Sequence, residues 1–376
     1  MRFDRRSSLP CSAGFTLIEL MVGLAIGMLA TVVIVQVMSV FEAQRRTTTG
    51  TADAQINGSI ALYKITREAQ MAGYTLLPVT NSALECTALT VDGVADASVP
   101  NRLSPIVIAD GVATATTSAS DVITIRYGGA PMGGVPTPIN AVDPAAKKLT
   151  ITGSVGCAVN DRSLVINGNA CFMSTVNAVD ATSVTIANTT GAVGGANVAC
   201  LGAWNEITYR VNGGNLERCN LTTAVAAGGN CNLVADNTNF IPSVAGIVNL
   251  QVQYGIANTA TSNQVTQWVD AVDGAGGNWA TLTVPNRNRI KSVRIAVVAR
   301  NAKMEQGVVS AACSSVVAAS PTGLCAWDAT SMTPAVTSPA PTIDLHPEDA
   351  KWASYRYRVF ETVIPLRNVI WAKATL

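Results

Sequence analysis

Few residues of this 376-residue chain are placed to do chemistry, and the most conspicuous is an isolated acid. Glu19 is the only charge between Phe15 and Phe41, in a run that is almost wholly apolar. A carboxylate costs roughly 2.5–3.5 kcal/mol at the centre of a bilayer and less near its surface. Two readings compete: an interfacial acid that snorkels to water, and a functional acid that awaits a cationic partner. The cysteines form a second set. Cys11 precedes the apolar run, and Cys86, Cys157, Cys171, Cys200, Cys219, Cys231, Cys313 and Cys325 follow it. An even number outside the cytoplasm points to disulfides. No C-x-x-C pair occurs, and the single histidine, His346, stands far from any cysteine, so no metal site is expected. Closing the shortest loops pairs Cys219 with Cys231, Cys313 with Cys325 and Cys157 with Cys171. Cys86 is then left for Cys200, with other pairings open.

Weaker constellations carry less. Asp270, Asp273 and Gly274 faintly suggest a calcium loop, but the spacing and terminal glutamate of an EF-hand are missing. Arg287, Arg289 and Lys291 alternate and would share one face of a strand. That face reads as a solvated edge that discourages strand pairing, or as a site for nucleic acid or another partner. Low overall charge favours the edge. Phosphate-loop, dinucleotide and G-x-S-x-G patterns are missing, and His346 lies in a polar loop, so neither an enzyme nor a cofactor is expected.

The elements that position these residues begin with a helix. The 22 uncharged residues Leu20–Phe41 span roughly 33 Å as a helix, which matches a bilayer core of about 30 Å. Secretory signals have shorter apolar regions, of about 7–15 residues. Arg2, Arg5 and Arg6 precede the run and place its N-terminal end in the cytoplasm by the positive-inside rule. Everything after it then lies across the membrane, in agreement with the cysteine count. Beyond Phe41, Ile56, Ile60 and Tyr63 fall at helical spacing, with Leu62, Ile65, Ala69 and Ala72 on a neighbouring stripe. Both read as core packing of one helix over 15–73, capped at Gly73. Thr47–Thr49, Gly50 and Gly58 predict a kink near 47–58.

From Tyr74 onward, Thr, Val, Asn and Gly predict short strands and turns. Expected strands are Ile106–Ala109, Val122–Tyr127, Lys148–Thr152, Leu164–Asn167, Ser183–Ala187, Glu206–Val211, Ile247–Tyr254, Ser292–Ala299 and Tyr355–Ile364. Asn212-Gly213-Gly214 reads as a hairpin turn. The proline-rich stretch 320–347 reads as an extended surface loop. The fold class is α+β: a long N-terminal transmembrane and amphipathic helix packed on a large antiparallel β-rich domain. The charged fraction of 13 % and net charge of +1 suggest no polyanionic partner.

Gly14-Phe15-Thr16-Leu17-Ile18-Glu19-Leu20, after a basic leader and before a continuous apolar helix, resembles the N-terminus of type IV pilins and pseudopilins. The segments Ile65–Tyr74, Ile290–Arg300 and Arg356–Asn368, ending in Leu366-Arg367-Asn368, are similar to PilW-type minor pilins. The resemblance covers about a quarter of the chain and leaves about 80–285 without a recognised motif. It implies a leader over 1–14 cut between Gly14 and Phe15 by a prepilin peptidase, with N-methylation of Phe15. The helix 15–73, transmembrane over about 15–41, would then lead into a periplasmic β-rich domain over 74–376, of one lobe or two. Glu19 would neutralise the terminal amine of a neighbouring subunit. Implied partners are other minor pilins, the major pilin, the inner-membrane assembly platform and membrane lipid, with no nucleic acid. The implied role is initiating or capping a pilus at its tip, in adhesion and twitching motility, from an inner-membrane precursor. A J-type pseudopilin of a type II secretion system is the alternative, and a tip adhesin is a third reading. The K-type pseudopilin is disfavoured because Glu19 is present.

Overall fold

The computed structural model describes residues 14–76, 86–95, 101–111, 120–222, 230–231, 233, 238–271, 279, 282–314, 322–327, 343–345 and 349–374. The leader with Cys11, His346, Asp273, Gly274 and most of the loop 320–347 lie outside them. The chain divides into two units, Met1–Thr51 and Ala52–Leu376.

Helix α1 runs unbroken over Leu17–Met71. The threonines that would weaken it are absorbed locally: Thr48 Oγ1 donates to Gln44 O at 2.9 Å and Thr51 Oγ1 to Thr47 O at 2.8 Å. Within the second unit its buried face is Ala54, Ala61, Ile65, Ala69 and Ala72. The expectation that Ile56, Ile60 and Tyr63 pack in the core is corrected: they are 57 %, 42 % and 64 % exposed. The sheets meet α1 along its small side chains because only these allow close approach. At Gly58 an added Cβ would lie 2.1 Å from the ring of Phe360, so no larger residue fits without displacing that ring. Past Met71 the chain turns at Gly73, whose N–H donates to Arg126 O at 2.9 Å.

Two sheets share the core that α1 closes. The first has the order β13-β12-β11-β4-β3, built from β3 (Ile106–Ala109), β4 (Val122–Tyr127), β11 (Asn205–Asn212), β12 (Asn215–Asn220) and β13 (Ile241–Ala245). The second has the order β15-β14-β16-β17, from β14 (Ile247–Ile256), β15 (Gln267–Val269), β16 (Ile290–Met304) and β17 (Tyr355–Pro365). The β11–β12 hairpin closes with Asn212 opposite Asn215. Gly213 and Gly214 are its central residues, with φ of +54° and +74°, one position later than the Asn-Gly reading.

Ser120 and Asp121 staple the two sheets. Asp121 Oδ2 accepts from Val252 N at 2.7 Å, Asp121 Oδ1 from Gly111 N at 3.0 Å, and Ser120 Oγ from Leu250 N at 3.1 Å. Burial pushes the Asp121 carboxyl well above its ordinary range, and the charges of Asp110 and Asp270 push it further.

The third sheet contains the expected strands near 148–152, 164–167 and 183–187, but their closure with three further strands was not expected. Between β4 and β11, which pair with Tyr127 opposite Asn205, the chain inserts six strands. They are β5 (Thr137–Asp143), β6 (Lys148–Ile151), β7 (Arg162–Asn167), β8 (Ala170–Asp180), β9 (Ser183–Ile186) and β10 (Asn197–Gly202). They pair in the circuit β8-β7-β10-β5-β6-β9 and back to β8. This is a closed barrel around Ile139, Leu149, Ile151, Val165, Val176, Val184 and Val198. Its root touches the chain just after α1: Gly128 N donates to Tyr74 O at 2.9 Å and Thr75 Oγ1 to Leu201 O at 3.3 Å. β1 (Ala88–Val91) joins β8 in parallel, and β2 (Val94–Ala95) pairs with β1.

The strands also decide the disulfides. Cys86 pairs with Cys171 and Cys157 with Cys200, in place of the expected Cys157–Cys171 and Cys86–Cys200. β1 lies beside β8 with Leu89 opposite Cys171, which brings Cys86 within 5.8 Å Cα to Cα of Cys171. Cys157 packs with Cys200 against the barrel interior. Cys219 bonds to Cys231, and Cys313 to Cys325.

The basic alternation is corrected as well. Arg287 and Arg289 lie on the short helix Val284–Arg289, where Thr283 caps the N-terminus and Pro285 favours the first turn. The strand starts only at Ile290, and Arg287, Lys291 and Arg294 are buried. Their donors hold loops: Arg287 Nη2 reaches Cys86 O at 3.1 Å, Arg289 Nε reaches Ala257 O at 2.8 Å and Lys291 Nζ reaches Ala260 O at 3.0 Å.

Asp121→Ala orphans the buried Val252 N–H and the partly buried Gly111 N–H and should cost about 2–5 kcal/mol in denaturant unfolding. The folded pKa is raised, so the acid's contribution is fullest below the ordinary carboxylate range and declines as pH rises through the folded value. The wild-type advantage over the variant should therefore shrink from pH 4 upward. An advantage that grows with pH refutes this. Non-reducing peptide mapping should recover Cys86–Cys171 and Cys157–Cys200 peptides; Cys157–Cys171 peptides would refute the strand pairing.

Candidate assembly site

The first described residues are Gly14 and Phe15, exposed and ahead of the helix, so the bond between them is not part of α1. Thr16 opens the helix. Glu19 N donates to Thr16 Oγ1 at 3.3 Å, while Thr16 N and Thr16 Oγ1 donate to Glu19 Oε2 at 3.1 and 3.0 Å. This reciprocal arrangement is a capping box: threonine at the cap and glutamate at the third helical position satisfy donors that the first turn leaves open. The acid also sits where the helix dipole favours negative charge. It is thus held at the start of the helix, four residues beyond Phe15. The T-x-x-E spacing was available in the sequence, but Thr16 was not singled out. The apolar side chains of α1 from Leu17 to Phe41 are exposed, and the helix is long and apolar enough to cross a membrane.

At the other end of α1 the motif Leu366-Arg367-Asn368 has a physical role. Leu366 and Val369 are buried in the main core. Asn368 Nδ2 donates to Ala72 O at 3.0 Å and to Met71 O at 3.4 Å. The asparagine therefore supplies a donor to Ala72 O, from 296 residues away in sequence, and shares Met71 O with Tyr74 N, which donates to it at 2.9 Å.

Between these ends, α1 is tied to the first sheet by polar contacts. Tyr127 Oη donates to Glu68 Oε2 at 2.5 Å, Arg218 Nη2 lies 3.4 Å from Glu68 Oε1, and Lys64 Nζ donates to Ser243 Oγ at 2.9 Å. Burial raises the Tyr127 hydroxyl above its ordinary range, and the bond to Glu68 raises it further. Burial likewise pushes Tyr209 up to about 12. Both therefore stay protonated at neutral pH, and Tyr127 keeps the proton it donates to Glu68.

Asp270, the described part of the faint calcium pattern, accepts from Gln253 Nε2 at 2.5 Å. Among the described residues, no group of three or more His, Cys, Asp or Glu side chains is arranged to hold a metal ion.

These features coincide with the comparisons to known proteins. Residues 9–35 match the prokaryotic N-terminal methylation motif. The chain is a type IV pilin-like protein. Residues 228–368 match the family described as Type IV Pilus-assembly protein W. Residues 36–227, with the barrel, fall outside both matches. A type IV-like pilin, TTHA1219 from Thermus thermophilus, aligns over 84 % of this chain and 97 % of its own at 12 % identity and a TM-score of 0.31. Nothing matches among curated protein sequences.

Asn368→Ala removes a cap and should cost about 1 kcal/mol. The loss should show as faster amide exchange confined to the last turn of α1 and the turn that follows it, through Leu76. Unchanged exchange at Ala72–Leu76 would contradict the capping role.

Proposed function

We propose that this chain is a minor pilin, a structural subunit that helps initiate or cap type IV pilus assembly at the filament tip. The observation that carries the proposal is the Thr16–Glu19 capping box directly after the exposed Gly14–Phe15 bond, at the head of a long apolar helix. Cleavage of that bond by a prepilin peptidase frees the amine of Phe15, which is then methylated. In lipid, Glu19 is a charge held only by Thr16. In a filament it meets the terminal amine of a neighbouring subunit, away from lipid, so the ion pair favours assembly over membrane residence. The basic leader places the N-terminus in the cytoplasm and the disulfide-bonded domain in the periplasm, where the four bonds persist. A J-type pseudopilin would use the same N-terminal chemistry, but the size of the β-rich domain favours the pilus subunit.

One observation supports a tip-binding module as a second role. The barrel is an insertion outside the PilW match, rooted just beyond the C-terminal end of α1. Replacing the barrel insertion by a tight turn between Tyr127 and Asn205 would separate the two roles, since adhesion should fall while filaments persist.

Glu19→Val should leave the membrane level of the mature chain unchanged and lower filament number at least tenfold by shearing and electron microscopy. Normal piliation would remove its assembly role. Gly14→Val should leave the leader attached; a mature-size chain in that variant would sink the cleavage claim.

A further inference from the structure

The Ala52–Leu376 unit carries a crevice of about 840 Å³ beside the C-terminal half of α1, and neither the N-terminal assembly chemistry nor the helix cap uses it. Its helix wall is Ile60, Tyr63, Arg67 and Met71. This is the apolar stripe that turns away from the core. Tyr63 is 64 % exposed, and Ile60 and Met71 are about 40 % exposed. The sheet wall is Tyr127, Tyr209 and Arg218. The charges that line it are Lys64, Arg67 and Arg218 against Glu68 alone. Glu68 is already engaged by Tyr127 and Arg218, and Lys64 by the neutral Ser243. Among the described residues Arg67 makes no ion pair and is exposed. A chain with only 13 % charged residues thus gathers an excess of cations beside exposed aromatic and aliphatic side chains. Large apolar side chains on the rim of a basic crevice mark a surface that a partner covers.

We infer that this crevice docks an acidic, apolar-flanked segment from the extracytoplasmic domain of a different pilin-type subunit. Charge complementarity selects the acid, with Arg67 at the rim as its free counter-charge. Tyr63 and Met71 supply the apolar contact that excludes water around it. A second copy of this chain fits less well through its apolar helix, because Glu19 and Glu42 are that helix's only acids before Asp53 and stand more than six helical turns apart. The inference rests on the filament-subunit reading and names one of its contacts.

The test uses the full chain in cells that assemble filaments. A photo-crosslinking benzoylphenylalanine replaces Tyr63 in one strain and the exposed Val155, on the barrel, in another, and adducts are identified by mass spectrometry. Tyr63 should capture another chain with a prepilin-type N-terminus, through a peptide that contains Asp or Glu, and Val155 should not. Arg67→Glu should lower the Tyr63 adduct about fivefold or more at unchanged membrane level. Arg67→Gln should lower it less, which guards against a misfolded charge-reversal variant. No pilin-type adduct at Tyr63, an adduct only with a second copy or only with lipid, or a yield indifferent to both Arg67 variants overturns the inference. If that occurs while Glu19→Val still abolishes filaments, the docking surface alone is wrong and the filament reading stands.

Discussion

Close approach between α1 and the sheets is the constraint on which the rest of the second unit depends. The contact face is Ala54, Gly58, Ala61, Ile65, Ala69 and Ala72, and the ring of Phe360 fills the space that a side chain at Gly58 would take. Small residues let the strands come near enough for β14, β16 and β17 to bury their inward side chains against the helix. The same geometry turns the bulky Ile56, Ile60 and Tyr63 away from the core. A helix can place its large residues or its small ones against a sheet, and dispersion contacts favour whichever face gives the denser fit.

Polar side chains then fix the register of that contact. Tyr127 and Arg218 hold Glu68, Ser243 holds Lys64, and Asn368 closes the helix end. Elsewhere the chain spends its few charges in buried places. Arg126 meets Glu206 at 2.8 Å, Arg210 meets Glu217 at 2.8 Å, and Arg294 lies over the rings of Trp327 and Trp268 while donating to Gln253. Buried pairs of this kind add little net stability, but breaking one leaves an uncompensated charge. Their value here is geometric: each joins neighbouring strands or fixes a loop by donors of fixed direction.

The barrel stands apart from this logic. It has its own interior, its own disulfide in Cys157–Cys200, and entry and exit strands that are neighbours in the first sheet. An insertion whose ends are adjacent leaves the parent sheet's pairing intact, which is why β4 and β11 remain partners across it. The PilW match, by contrast, covers β13 to β17 and reaches the asparagine that caps α1. That stretch supplies one whole sheet of the helix-bearing core.

Much of the candidate site was legible in the residues themselves, because its determinants are local. The basic leader, the length of the apolar run, the lone Glu19 and the T-x-x-E spacing all act within a few turns of one helix. Strands with β-branched alternation, such as Ile106–Ala109 and Val122–Tyr127, were legible for the same reason. The barrel strand Asn197–Gly202 was not, since its small, polar and glycine residues become a strand only through pairing with β7 and β5. Cysteine spacing counts loop length, whereas the partners of Cys171 and Cys200 follow from which strands lie side by side. Alternation along Arg287–Lys291 said nothing about where the strand would begin. Sequence by itself determined a long apolar helix with a lone acid at its head; tertiary structure decided which face of that helix is core and which stays exposed. Periodicity defines the faces of a helix, and only packing against distant strands chooses between them.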